Sequence, residues 1–96
     1  MNSEDPIGII ELGNLNIKCL IFKIINNKAE ILSTSITPSE GIHNDAVVNL
    51  SKASNTIRSC ISTAEKKAKI SLKKVLTSIS YQAFLVKERK KILYIF

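Results

Sequence analysis

The chain of 96 residues has little aromatic material: three Phe, two Tyr and no Trp. Apolar residues nevertheless make up 45% of the sequence, so a core has to be built from Ile, Leu and Val. At this length only about 60–65% of the surface of the unfolded chain can be buried on folding. The sequence therefore predicts one small domain and excludes a large multidomain architecture within these residues.

Cysteine and histidine are also scarce. Cys19 and Cys60 lie far apart and form no CxxC pair, and His43 is the one histidine. Because a structural zinc site needs about four such ligands, we expect no metal site, two buried free thiols, and a loop position for His43. Unpaired thiols are usual in a reducing compartment, and we expect a cytoplasmic protein.

No apolar run reaches the roughly 20 residues of a membrane-spanning helix. The longest run, Ile17 to Ile25, is short and includes Lys18 and Lys23. The first six residues, MNSEDP, are acidic, whereas a signal peptide begins with positive charge. We therefore expect neither a membrane span nor a signal peptide.

The net charge of +6 is unevenly distributed. Residues 1–48 hold three Lys/Arg and six Asp/Glu, whereas residues 49–96 hold eleven Lys/Arg and two Asp/Glu. The basic stretch Lys66 to Lys74 either binds nucleic acid or is a solvated helix end, and we favour the second because it lacks interleaved aromatic residues for base stacking. The tail Lys87 to Phe96 either presses onto an anionic membrane surface or is a strand separated from its sheet.

Turn residues divide the first part of the chain into three strands. Gly13 to Asn16 and the pair Asn26-Asn27 tolerate positive φ, and the segments between them are apolar and β-branched, as strands favour. The predicted strands are Ile7 to Leu12, Ile17 to Ile25 and Lys28 to Ile36. In the third strand a rough alternation places Ala29, Ile31 and Ser33 on one face. We predict an antiparallel meander.

A long helix is predicted next. Asn49 or Ser51 can cap its start, apolar residues then recur at three- and four-residue spacing, and basic residues suit its end near Lys69. Ile57 and Ile61 lie on the apolar stripe and are expected to anchor the helix to the sheet. The covered sheet residues are expected to be Ile9, Leu20 and Ile31 or their neighbours. Further strands are predicted at Ala46 to Val48 and Val75 to Ser80.

The turn between the first two strands reads Glu11-Leu12-Gly13-Asn14. A plain hairpin needs only the glycine or an asparagine, whereas a phosphate-handling turn would need the acid as well. In such a turn the backbone N–H groups approach phosphates closely, for which glycine is suited, and a carboxylate acts through water on Mg²⁺. Lys18 is within possible reach of a phosphate or is a solvated strand residue. Both interpretations of the turn remain open at this point.

Three stretches resemble the FtsA family of the actin-like ATPase superfamily, over roughly residues 7–84. They are GIIELGNLNIKCLIFKI, similar to the opening hairpin; TPSEGIHNDAVVNLSKASNTIRSCISTAEKKAKI, similar to the connector and following helix; and LKKVLTSISYQAF, similar to the start of the SHS2 subdomain. The resemblance implies an α/β fold: a partial actin-like (ribonuclease H-like) subdomain with a three-stranded antiparallel meander and one long helix, followed by the start of an SHS2 subdomain.

The resemblance also implies a division of the chain and a candidate site. Residues 1–6 are expected to be a disordered tail, residues 7–74 a partial subdomain 1A, and residues 75–96 a truncated start of SHS2. The candidate site is a degenerate phosphate-1 loop, made of Glu11, Gly13, Asn14 and Lys18. Glu11 stands where the family has Asp, which moves the carboxylate by about 1.5 Å, the length of one C–C bond. Asn14 stands where the family has Thr or Ser, so the hydroxyl is missing.

Intact members of the family bind ATP and Mg²⁺ in a cleft between two lobes and link FtsZ filaments to the inner membrane at the septum. One hairpin supplies at most one wall of that cleft, so we expect no autonomous enzyme activity, no cofactor, and no catalytic or metal-binding residues in this chain. The expected partners are FtsZ and a second copy, without nucleic acid. Peripheral membrane association, at the cytoplasmic face of the inner membrane, is expected only of intact members. The alternatives are a PilM-like pilus-assembly scaffold and a small basic binding module.

Overall fold

The structure is a computed structural model that describes residues 5–78 and 93–94. It contains the predicted meander and the predicted long helix, and is consistent with a partial actin-like fold. The elements, in chain order, are β1 (Ile7–Leu12), β2 (Asn16–Ile25), β3 (Lys28–Pro38), β4 (Ile42–His43), β5 (Ala46–Val47), α1 (Leu50–Ala68), β6 (Val75–Ser78) and β7 (Leu93–Tyr94). The short strands β4 and β5 form a hairpin of their own, so His43 lies in a strand and not in a loop.

The main sheet has five described strands in the order β3-β2-β1-β6-β7. Tight turns join β1 to β2 and β2 to β3 in antiparallel pairs, and β6 lies parallel to β1 with β7 parallel to β6. The sequence assigned β6 to the start of a following subdomain, but its described residues extend the first sheet. The expected division at residue 75, and the expected tail at residues 1–6, stay predictions, since residues 1–4, 79–92 and 95–96 lie outside the described residues.

Helix α1 covers one face of the sheet. The buried core consists of Ile10, Ile17, Cys19, Ile21, Ile57, Cys60 and Ala64. Ile57 is therefore an anchor, as predicted, and Ile61 packs against this core while remaining partly exposed. We expected α1 to cover Ile9, Leu20 and Ile31 or their neighbours. It covers the neighbours, because the buried residues of β1 and β2 are Ile10, Ile17, Cys19 and Ile21.

A β-bulge in β3 interrupts the predicted alternation, which placed Ile31 and Ser33 on one face. Ile21 pairs with Ser33 while the next residue, Phe22, pairs with Ile31, so Leu32 is an extra residue without a direct partner. An extra residue in one strand breaks the alternation of its side chains between the two faces. Ser33 therefore faces the helix, and Ile31 faces the other way with Phe22.

Two serine hydroxyl groups of β3 donate hydrogen bonds to backbone carbonyl groups of α1. The Ser33 hydroxyl donates to the Ala64 carbonyl at 2.7 Å, and the Ser35 hydroxyl donates to the Cys60 carbonyl at 2.6 Å. Small hydroxyl side chains allow the helix to approach the strand closely, and the buried Ser35 and the partly buried Ser33 each find a hydrogen-bond partner. These two hydrogen bonds and the apolar core together hold α1 against the sheet.

The ends of α1 follow the predicted chemistry. The Asn49 side chain accepts a hydrogen bond from the Lys52 N–H at 2.9 Å, which confirms Asn49 as the N-cap. The C-cap is Lys69, at φ 61°, in the left-handed region. Beyond it, the Glu65 carboxylate accepts from the Leu72 N–H at 2.8 Å. No helix in the described part of the chain is long and apolar enough to span a membrane.

Candidate functional site

The predicted site lies at the β1–β2 turn, at one end of the sheet. Glu11 and Lys18 are direct cross-strand partners, and both are exposed. Partners in an antiparallel pair project from the same face of the sheet, and here this is the face opposite to α1. The structure thus places Glu11 and Lys18 side by side, next to the turn that contains Gly13 and Asn14.

The glycine of the turn is explained by the turn itself. A Cβ atom added at Gly13 would lie 2.8 Å from the backbone carbonyl oxygen of Asn16. Such a contact forces the backbone to shift, so a side chain at this position is excluded without any ligand being present. The glycine on its own therefore does not distinguish a phosphate loop from an ordinary hairpin.

The side chain of Asn14 is engaged by a residue of the β4–β5 hairpin. Its amide nitrogen donates to the Asp45 carboxylate at 3.0 Å, and its amide oxygen accepts from the Asp45 backbone N–H at 2.7 Å. Asp45 and the preceding Asn44 both have positive φ, of 61° and 51°, as a two-residue hairpin turn requires. These two hydrogen bonds hold the β1–β2 turn against the turn between β4 and β5.

A second pair of hydrogen bonds secures the carbonyl groups of the same turn. The Ser39 hydroxyl donates to the Gly13 carbonyl at 2.6 Å, and the Ser39 backbone N–H donates to the Leu15 carbonyl at 2.9 Å. Ser39 and Asp45 both lie in the connector between β3 and α1. The β1–β2 turn is therefore braced by four hydrogen bonds from the connector, a set of contacts that we call the turn brace.

The chemistry of the turn brace is unlike that of an anion site. In a phosphate loop the residue at the position of Asn14 supplies a hydroxyl, but here both polar ends of the side chain are bonded to Asp45. Asp45 also places a carboxylate against the turn, which repels a phosphate group. The arrangement holds the β1–β2 turn against the connector. Contact of a nucleotide with Glu11, Gly13, Asn14 and Lys18 stays a prediction.

Both thiols are buried and free, as predicted. The Cys60 thiol lies 3.2 Å from the Ser35 hydroxyl and 3.4 Å from the Ile17 carbonyl. Burial, with smaller contributions from Cys60 and Glu65, raises the pKa of the Cys19 thiol to about 12. Since the thiolate is the reactive form, Cys19 is a poor nucleophile. The described residues contain no group of three or more Cys, His, Asp and Glu side chains that could hold a metal ion.

Sequence reasoning missed Ser39 and Asp45, the two connector residues of the turn brace. Each lies more than 20 residues from its partner in the chain, so no local pattern reveals the contact. The pair Asn44-Asp45 did carry one usable indication. Asn and Asp are among the few residues that tolerate the left-handed region, which predicts a tight turn at this point of the connector.

Two comparisons with known proteins give similar chains, and no family model matches. The sequence is 32% identical over 66 residues, 69% of this chain, to "Cell division protein FtsA" of Streptococcus pneumoniae serotype 2 (strain D39 / NCTC 7466). The fold is similar to a structure of diol dehydratase-reactivating factor in nucleotide-free form, with a TM-score of 0.59 and 17% identity over 78% of this chain. The chain spans only 14% of the first protein and 12% of the second. Together the two similarities indicate the actin-like superfamily, with a cell-division family as one possibility within it.

Proposed function

We propose that the chain corresponds to an early part of an FtsA-like cell-division protein. The observation that carries the proposal is the combination of strand order, connector and helix with the 32% identity to FtsA over 66 residues. In the intact protein these residues would form part of subdomain 1A. Its partners would be FtsZ and further copies of the protein, at the cytoplasmic face of the inner membrane.

The turn brace supports a structural role for the candidate site in this chain. A wall of the ATP cleft has to leave its polar groups available, whereas Asn14 and the Gly13 carbonyl are already bonded within the chain. We therefore expect neither tight ATP binding nor ATPase activity from these residues alone. On this proposal Glu11 and Lys18 are a surface charge pair descended from a phosphate-1 loop.

Isothermal titration with Mg-ATP tests this part of the proposal. We expect no saturable binding at micromolar nucleotide, where a functional site would show about −8 kcal/mol. Micromolar binding by the unmodified chain would contradict the structural role. The double variant Glu11→Asp/Asn14→Thr restores the residue types of the family, and we expect it to bind no better, because one lobe of the cleft is not enough.

The stability of matched variants tests the turn brace directly. Asn14→Ala removes two exposed hydrogen bonds, each worth about 0.5–1.5 kcal/mol, and should lower the free energy of unfolding by about 1–2 kcal/mol. Leu15→Ala, in the same turn, changes a side chain that is 81% exposed, and should cost less than about 0.5 kcal/mol. Equal effects of the two substitutions in urea unfolding would mean that the Asn14–Asp45 contact contributes nothing.

Co-sedimentation with FtsZ filaments tests the proposed family role. Recovery of the chain with the filaments, lost when the filaments are disassembled, would support an FtsA-like function. The alternatives predict other partners: a PilM-like scaffold would be recovered with pilus-assembly proteins, and a small basic module would be retained by nucleic acid in a salt-dependent manner. Either of these outcomes, without FtsZ binding, would overturn the proposal.

A further inference from the structure

The β4–β5 hairpin is very short. It consists of two residue pairs, Ile42 with Val47 and His43 with Ala46. Even a longer isolated two-stranded hairpin is at best marginally stable in water, so the ordered conformation of this one depends on contacts with the rest of the chain. Within the part of the chain that the structure describes, the hydrogen bonds that supply these contacts lie at the two ends of the hairpin, and the two ends are held in different ways.

The base of the hairpin is fixed to the start of α1. The Gly41 carbonyl accepts hydrogen bonds from the Val48 N–H at 2.8 Å and from the Asn49 N–H at 3.2 Å. Gly41 lies so close to the helix that an added Cβ atom would stand 2.4 Å from the Asn49 carbonyl oxygen. Beside it, Ile42 packs against the buried core. Close packing and two backbone hydrogen bonds therefore hold the base independently of the tip.

The tip of the hairpin, Asn44 and Asp45, is held by polar contacts. Neither residue belongs to the buried core or packs against it. The tip is held by the two hydrogen bonds between Asp45 and Asn14, of 3.0 and 2.7 Å, which we call the latch. Both bonds of the latch end on the same side chain, so a single change of the Asn14 rotamer breaks them together. The latch therefore has two discrete states, made and broken.

We propose that the β4–β5 hairpin is a conformational switch, ordered while the latch is made and open when it breaks. Two residue pairs do not keep the strands together once the tip is released. Opening frees both polar ends of the Asn14 side chain, whereas Ser39 continues to hold the Gly13 and Leu15 carbonyl groups. The closed hairpin thus controls whether Asn14 can contact any other group. The proposal depends on the contacts of the hairpin and not on the proposed function.

Backbone ¹⁵N relaxation of the unmodified chain and of two alanine variants tests the switch. Asn14→Ala removes the latch, whereas Leu15→Ala changes the next side chain of the same turn, which takes no part in the latch. With Asn14→Ala we expect the order parameters of residues 43–46 to fall from about 0.85 to below about 0.6, while those at the base of the hairpin stay unchanged. With Leu15→Ala both sets of values should match those of the unmodified chain.

Asp45→Asn is the conservative variant on the other side of the latch. Asn tolerates the positive φ of 61° at this position and keeps an oxygen acceptor for the Asn14 amide, so the hairpin should stay ordered. The proposal is overturned by a hairpin that stays rigid in Asn14→Ala or that is already flexible in the unmodified chain. It is also overturned if Asn14→Ala loosens the base and α1 as much as the tip, or if Asp45→Asn loosens the tip as much as Asn14→Ala does.

Discussion

Ile57 and Ile36 are the same residue type on opposite sides of the sheet, so truncating each to alanine measures which face the helix covers. Ile57 is 8% exposed and Ile36 is 63% exposed. The substitution removes three carbon groups, each contributing about 0.8 kcal/mol when fully buried. The loss of burial alone therefore amounts to roughly 2 kcal/mol at Ile57 and less than about 1 kcal/mol at Ile36.

Two further terms separate the variants. At Ile57 the truncation leaves a cavity between α1 and the sheet, which brings buried Ile→Ala substitutions to about 2–5 kcal/mol, and the better helix propensity of Ala returns a few tenths of a kcal/mol. At Ile36 no closed cavity forms, and the weaker strand preference of Ala adds at most about 1 kcal/mol. We expect a loss of about 2–4 kcal/mol for Ile57→Ala and about 1 kcal/mol for Ile36→Ala.

Urea unfolding followed by far-UV circular dichroism measures both losses. Protein concentrations should be low enough that the midpoint does not depend on concentration, so that association between copies does not contribute. Lys52→Ala, on the exposed side of α1, is the control and should cost less than about 0.5 kcal/mol. Equal losses for the two isoleucines, or a larger one for Ile36, would refute the assignment of the covered face.

Two other predictions follow from the backbone and from a buried thiol. Gly41 has φ +82°, and a Cβ there would lie 2.7 Å from the Ala53 backbone nitrogen, so Gly41→Ala should lower the free energy of unfolding by about 1–3 kcal/mol. At Gly8 the nearest contact is the end of the Leu72 side chain, so Gly8→Ala should lower it by less. The reverse order in urea unfolding would contradict this account. Burial raises the pKa of Cys19 from 9.0 to about 12, so between these pH values the folded state keeps the thiol proton and the unfolded state releases it. The stability that this difference contributes is present below pH 9 and is lost as the pH rises towards 12. Unfolding midpoints across this range should fall less steeply for Cys19→Ala, and identical slopes would count against the shift.

The elements of this chain that could be predicted from sequence are those specified by neighbouring residues. Gly13 and the Asn26-Asn27 pair mark turns because few other residues adopt positive φ. Asn49 caps α1 through a contact only three residues away. The pairing of β6 with β1 joins residues more than 60 positions apart, and nothing within either strand specifies the partner.

The sequence left open which face of the sheet α1 covers, with Ile9, Leu20 and Ile31 on one side and their neighbours on the other. A strand with one solvated face alternates polar and apolar residues, but β1 and much of β2 are apolar at successive positions, as in IGII and CLIF. Continuous apolar runs are typical of strands buried on both faces. The pattern therefore could not say which face α1 covers, because both faces are suited to being covered. The structure assigns α1 to the face of Ile10, Cys19 and Ile21. It does so through contacts such as that of Ser35 with Cys60, which join residues 25 positions apart and which no local pattern specifies.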